Sequence, residues 1–349
     1  MISLLAIFLG SAFLVVLAGT SLARNGDIIA ARTRLGGLWV GSVFLAVATS
    51  LPELTTDIAA VRIGAPDLAA GDLFGSTMAN MLILAIVTLL PRGGMVFQKA
   101  ALDHALYASL AIIMTCIAAV FVMTRSQTTI VGVGPGSILL VLIYIVGSRA
   151  IYRHSAVAEE ARKVVEMGGA APDETQHPAE PDPNDGSEIP SLRRAVIGFA
   201  GASLVILIAA PFFARAAASL AELSGVGTTF FGTWLVGFAT SLPELVTSLA
   251  AVRMKAYDLA VGNLFGSNAL NMAMFIALDL AHPGAPILGM VNPAHALSAM
   301  VGVILMAIAL AALVYRARGR FSMLEPGSMA MIVTYIGGLL LIYLKATGS

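Results

Sequence analysis

Residues 48–54 read ATSLPEL, and residues 239–245 read ATSLPEL again. Each copy lies inside a long apolar run. Each places a proline and a glutamate where an undisturbed apolar helix would carry neither. Pro52 and Pro243 have no N–H to give to Ala48 and Ala239, so each is expected to kink its helix and loosen a backbone carbonyl. Glu53 and Glu244 are costly in hydrocarbon, at least ~2.5 kcal/mol each on insertion scales. A costly heptapeptide written twice needs a purpose that two copies serve.

Working outward, residues 48–81 and 239–272 align without a gap at an offset of 191, with 23 of 34 positions identical. The chain is an internal duplication. Of its 349 residues 58% are hydrophobic and only 11% charged, against about a quarter charged in a soluble domain. Apolar stretches long enough to cross ~30 Å of hydrocarbon recur along it. Ten are read, at roughly 3–22, 36–62, 67–90, 103–124, 129–151, 193–218, 228–252, 258–280, 293–315 and 328–345. The first reads as a span and not a leader, since no basic stretch precedes it and no small-residue cleavage site follows. Cys116 is the single cysteine and lies within a span, so no intramolecular disulfide can form.

The expected fold is therefore an all-α integral membrane protein of ten transmembrane helices. Residues 1–152 form one five-helix half with its repeat at 48–81, and residues 192–349 form the other with its repeat at 239–272. Residues 153–191, rich in acids and prolines, read as a flexible cytoplasmic linker. Five is odd, so the two halves enter the membrane from opposite sides. Inverted repeats of this kind mark secondary transporters, with the substrate near midplane where the repeats meet. Sixteen arginines and lysines fall on one side of this layout, and Arg62, Arg125, Arg215 and Lys345 on the other. The positive-inside bias places both termini outside the cytoplasm of an inner (plasma) membrane.

Within each motif, Thr49, Ser50 and Glu53 share one helical face, as do Thr240, Ser241 and Glu244. The following span adds Ser76 with Asn80 in GDLFGSTMANM (71–81), and Ser267 with Asn271 in GNLFGSNALNM (262–272). Glycines 71, 75, 262 and 266 allow close helix approach. Carboxylates, hydroxyls, amides and loosened carbonyls make an all-oxygen site, which suits hard cations and calcium in particular. Histidines 104, 154, 177, 282 and 295 are scattered and read as surface or interfacial residues. Asp57 and Asp72 of the first repeat become Ser248 and Asn263 in the second, and the acids are expected to line an acidic extracytoplasmic vestibule.

A-T-S-L-P-E-L followed by G-[DN]-L-F-G-S, twice, in inverted halves, resembles the sodium/calcium exchanger family of the cation/calcium antiporter superfamily, in a prokaryotic form. The resemblance covers the whole chain. It implies exchange of sodium for calcium by alternating access, with Glu53 and Glu244 as the central calcium ligands and Thr49 and Thr240 giving backbone oxygens. It implies sodium sites at Ser50, Ser76, Ser241 and Ser267 with the carbonyls of Ala46 and Gly237, and Asn80 and Asn271 bordering the middle site. Potassium-dependent relatives carry aspartate where this chain has Asn271, so potassium co-transport is not expected. The first repeat has Thr77 where asparagine is usual. The partners implied are calcium, sodium and the lipid bilayer, with protons as the alternative counter-ion. No cofactor, nucleic acid or oligomer is required, and no enzymatic activity is expected. A calcium/proton antiporter of the same superfamily is the nearest alternative, and a passive cation channel the alternative of another class.

Overall fold

The computed structural model describes residues 2–33, 35–90, 96–100, 103–167, 191–223, 238–282, 284–315 and 325–347. Among these there are helices and turns and no strand, only one isolated bridge between Ile130 and Val133. The major helices are α1 (Ile2–Thr33), α2 (Ala46–Arg62), α3 (Pro66–Leu89), α4 (His104–Thr124) and α5 (Pro135–Met167). The second half has α6 (Leu192–Leu223), α7 (Leu242–Arg253), α8 (Tyr257–Ala273), α9 (His295–Tyr315) and α10 (Pro326–Thr347). Nine segments among the described residues are long and apolar enough to cross a membrane. The seventh expected span, 228–252, is described from residue 238 on and contributes α7. This is the expected all-α membrane fold of two inverted five-helix halves.

One boundary differs from expectation. Helix α5 continues to Met167, well into the stretch read as a linker from residue 153. The AEEARKVV run is made of good helix formers, so nothing local stops the helix at the membrane surface. Residues 168–190, the rest of the linker, lie outside the described residues.

Helices α3 and α8 are the most enclosed spans, while α1, α6 and α10 present most of their surface outward. Leu9, Phe13, Val196, Ile208, Val333 and Leu340 are exposed apolar side chains of the kind a bilayer covers. Helix α1 lies along α6, where Phe8 stacks on Phe213 with centroids 4.8 Å apart. The two halves interleave: α3 of the first packs on α9 of the second, and α8 of the second packs on α4 of the first.

The two ATSLPEL copies are not built alike. In the first half the chain enters through a π-helical turn, Val40–Leu45, and α2 then runs unbroken through Pro52. A π turn inserts one extra residue per turn and re-aims the side chains that follow. In the second half the helix is interrupted at Ser241, and α7 starts afresh with Pro243 in its first turn, where a missing N–H costs nothing. Helix α8 presses on the π turn. A Cβ added to Gly262 would lie 3.0 Å from the Leu38 carbonyl oxygen and from the Ser42 nitrogen, and one added to Gly266 would collide with the Ser42 backbone. Glycine is required there to let two backbones meet.

Candidate ion-binding site

Every described candidate residue is buried. Ala46, Thr49, Ser50, Glu53, Ser76, Asn80, Ser241, Glu244, Ser267 and Asn271 have no solvent exposure, and Thr240 has 2%. Gly237 lies outside the described residues. The buried groups meet across the two halves in a two-fold pattern. Ser50 Oγ donates to Glu244 Oε1 at 3.1 Å, and Ser241 Oγ donates to Glu53 Oε1 at 3.2 Å. These are one bond seen twice, each serine reaching the glutamate of the other repeat. Thr240 Oγ1 donates to Asp72 Oδ1 at 3.1 Å, and Thr49 Oγ1 lies 3.3 Å from Asn263 Oδ1. Positions 72 and 263 are again repeat equivalents, 72 + 191 = 263.

The remaining contacts knit α2 and α3 to α8. Asn80 Nδ2 donates to Asn268 Oδ1 at 2.9 Å, Asn268 Nδ2 lies 3.4 Å from the Thr77 carbonyl oxygen, and Ser50 Oγ is 3.2 Å from Ser267 Oγ. The Ala46 carbonyl accepts from Thr49 Oγ1 at 3.3 Å. What stays unpaired is as informative. Glu53 Oε2, Glu244 Oε2, Ser76 Oγ, Asn80 Oδ1 and both amide atoms of Asn271 are buried with no hydrogen-bond partner. Each such orphan costs about 1–3 kcal/mol. The orphaned oxygens offer lone pairs that a cation can use, whereas Asn271 Nδ2 is a donor that no cation satisfies. Among the described residues no group of three or more His, Cys, Asp or Glu side chains could hold a metal ion. Two glutamates would therefore complete a shell with hydroxyl, amide and carbonyl oxygens, as calcium accepts.

Two expectations are corrected here. Asp57 and Asp72 do not line an open vestibule: they are 1% and 3% exposed. Asp72 is bonded to Thr240, and Asp57 lies against Asp72. Position along the span axis does not decide exposure; the helix packed over the face does. The histidines are not all surface groups either. His104 is fully buried, with Nε2 3.0 Å from Asp258 Oδ1, and His295 lies 3.1 Å from Asp67 Oδ1. The signal was present, since 104 + 191 = 295 and 67 + 191 = 258. The sequence reading also missed Asn263 and Asn268 as members of the buried network.

A family model described as sodium/calcium exchanger protein matches residues 3–151 and 194–344. The chain is 24% identical over 280 residues to the inner membrane protein YrbG of Escherichia coli, covering 80% of each. It is 26% identical over 274 residues to the putative antiporter CaxA of Alkalimonas amylolytica, covering 77% of this chain and 75% of that one. A solved structure of the sodium-calcium exchanger NCX_Mj, soaked with sodium and without calcium, superposes with a TM-score of 0.70. It covers 97% of this chain and 99% of its own at 21% identity, a likeness of fold.

Proposed function

The chain belongs to the sodium/calcium exchanger protein family, and from that premise we propose that it exchanges sodium for calcium across the membrane by alternating access. Calcium is held at mid-span by Glu53 and Glu244. Thr49 and Thr240 contribute backbone oxygens, and Ser50, Ser76, Ser241 and Ser267, with the carbonyls of Ala46 and Gly237, serve sodium. Asn80 and Asn271 border the middle site. The halves 1–152 and 192–349 carry one repeat each, and both termini face outward from the inner membrane.

The observation that carries this reading is the crossed serine–glutamate pair. Each carboxylate has one oxygen taken by a serine of the opposite half and the other oxygen buried without a partner. Neither half owns a complete site, so an ion that uses both free oxygens ties the halves together. An ion whose ligands come from two inverted units is released to one side or the other as those units shift. Two carboxylates balance one calcium or two sodium ions, the arithmetic of an exchanger.

One observation favours protons as the alternative counter-ion. Asp57 Oδ2 and Asp72 Oδ2 are further buried carboxyl oxygens without hydrogen-bond partners. Calcium flux into proteoliposomes decides between the two. An outward sodium gradient at equal pH is expected to drive calcium in, and a pH gradient without sodium is not. The reverse result would make protons the counter-ion, and flux needing neither gradient would make the protein a channel.

A further inference from the structure

We infer that Asp67 with His295, and Asp258 with His104, are positioning pairs that hold α3 and α8, two of the four site-bearing helices, in register across the two-fold, an inference that rests on the ion-exchange reading above. Both pairs sit at offset 191 and both cross between halves. Asp67 lies in the first turn of α3, and His295 is the first residue of α9. Asp258 lies in the first turn of α8, and His104 is the first residue of α4. Because five crossings separate the start of α3 from the start of α8, the two pairs lie at opposite faces of the membrane.

The chemistry of each pair is the same. Two helix N-termini meet, and one carboxylate is placed between them, where the partial positive ends of both helices favour it. The imidazole Nε2–H donates to that carboxylate, at 3.1 Å for His295 and 3.0 Å for His104. Asp67 Oδ1 also accepts the Asn292 backbone N–H at 2.6 Å, so it binds the chain entering α9 twice. His295 is further held against Phe74 of α3, with ring centroids 6.5 Å apart.

What these ties govern follows from where α3 and α8 lead. Ser76 and Asn80 lie nine and thirteen residues beyond Asp67, roughly 14 and 20 Å along a rigid helix at 1.5 Å per residue. Ser267 and Asn271 stand in the same relation to Asp258. An ion site tolerates displacements of only ~0.5 Å. Fixing the N-terminal end of each helix to a span of the opposite half therefore sets the positions of the oxygens further along it.

The test uses the full-length protein in liposomes and in detergent. The variants are Asp67→Ala, His295→Ala, both together, the swap Asp67→His with His295→Asp, and Asp258→Ala with His104→Ala in parallel. Amide hydrogen exchange is read over residues 72–81 and 263–272, and calcium flux gives half-saturation and maximal rate. Asp67→Ala is expected to speed exchange through 72–81 and raise half-saturating calcium about fivefold, the scale of one pairwise coupling. Maximal rate at saturating calcium changes less than half-saturation does. The double variant is no worse than the harsher single, and the swap recovers most of the loss. Should Asp67→Ala fail to assemble, Asp67→Asn, which keeps an acceptor, gives a smaller shift of the same sign. Lowered melting temperature with unmoved half-saturation and unmoved exchange at 72–81, or additive effects in the double variant, overturns the inference. The amide arm needs no ion: wild-type protein indifferent to calcium, with α3 still loosened in Asp67→Ala, sinks the exchange reading and leaves the tie standing.

Discussion

The two repeats share their crossed serine–glutamate bonds and differ in the groups around them. Ser50 and Ser241 make the same bond to opposite glutamates, and Thr49 and Thr240 reach equivalent positions on α8 and α3. Around those bonds the copies diverge. Asn263 donates its amide to Thr247 and Ser248 of its own half, at 3.1 and 3.3 Å. The equivalent place in the first repeat holds Asp72 against Asp57, two acids where the second has an amide and a hydroxyl. The approaches differ too, a π turn before the first motif and a break at Ser241 in the second. The lesson is that the duplication preserves the crossed serine–glutamate bonds, while positions 72/263 and 77/268, which also bridge the halves, have diverged.

That comparison can be broken most severely at the glycines of the second repeat. Gly266→Val puts a branched side chain into the Ser42 backbone. Overpacking of this kind costs about 1–3 kcal/mol and displaces backbone. A clearly lowered melting temperature and loss of calcium flux are expected, measured by thermal unfolding and proteoliposome uptake. A variant with wild-type flux would mean that α8 does not press on the π turn as described.

The shared surface is sharpened by matched serines. Ser50→Ala and Ser241→Ala each remove one hydrogen bond to a carboxylate, worth about 1.5–3 kcal/mol. Each is expected to change calcium half-saturation by about tenfold or more, and by similar factors. A large effect in one and none in the other would show that the two-fold of the geometry is not a two-fold of function.

The acids of the first repeat are the weakest lever. Asp57→Ser with Asp72→Asn rewrites the first repeat in the manner of the second. Because Asp72 bonds Thr240 and asparagine keeps an acceptor there, the change in calcium half-saturation is expected to be smaller than in either serine variant. Half-saturation measured from both faces should move together, since both acids are buried. A shift confined to one face would restore the vestibule expected from sequence.

Much of this was legible in the sequence because membrane folds are governed by strong, local rules. Span lengths follow from the hydrocarbon thickness, and the repeat offset follows from identity at 23 positions. ATSLPEL announced the buried glutamates because proline and carboxylate are costly there. What sequence did not reveal was partnership. Nothing in the spacing said that Ser50 would serve Glu244 and not Glu53, because crossing the two-fold is a property of packing. The burial of Asp57 and Asp72 was missed for the same reason: a face of one helix is open or closed only according to its neighbour. The histidine pairs were missed through reading histidines as scattered, when the repeat offset linked two of them. The extension of α5 to Met167 was missed because an acid-rich composition was weighed above helix propensity.

Calcium binding to purified protein, compared between wild type, Glu53→Gln and Glu244→Gln, tests the shared glutamate pair most directly. Glutamine keeps the size and an acceptor for the opposite serine but removes the charge. If one calcium is held between the halves, either substitution alone weakens binding by about a hundredfold or more, the loss of one charged partner in a buried site, and to a similar degree. The variants should still assemble, since the serine bonds remain. Wild-type calcium affinity in either single variant would contradict a site that needs both carboxylates.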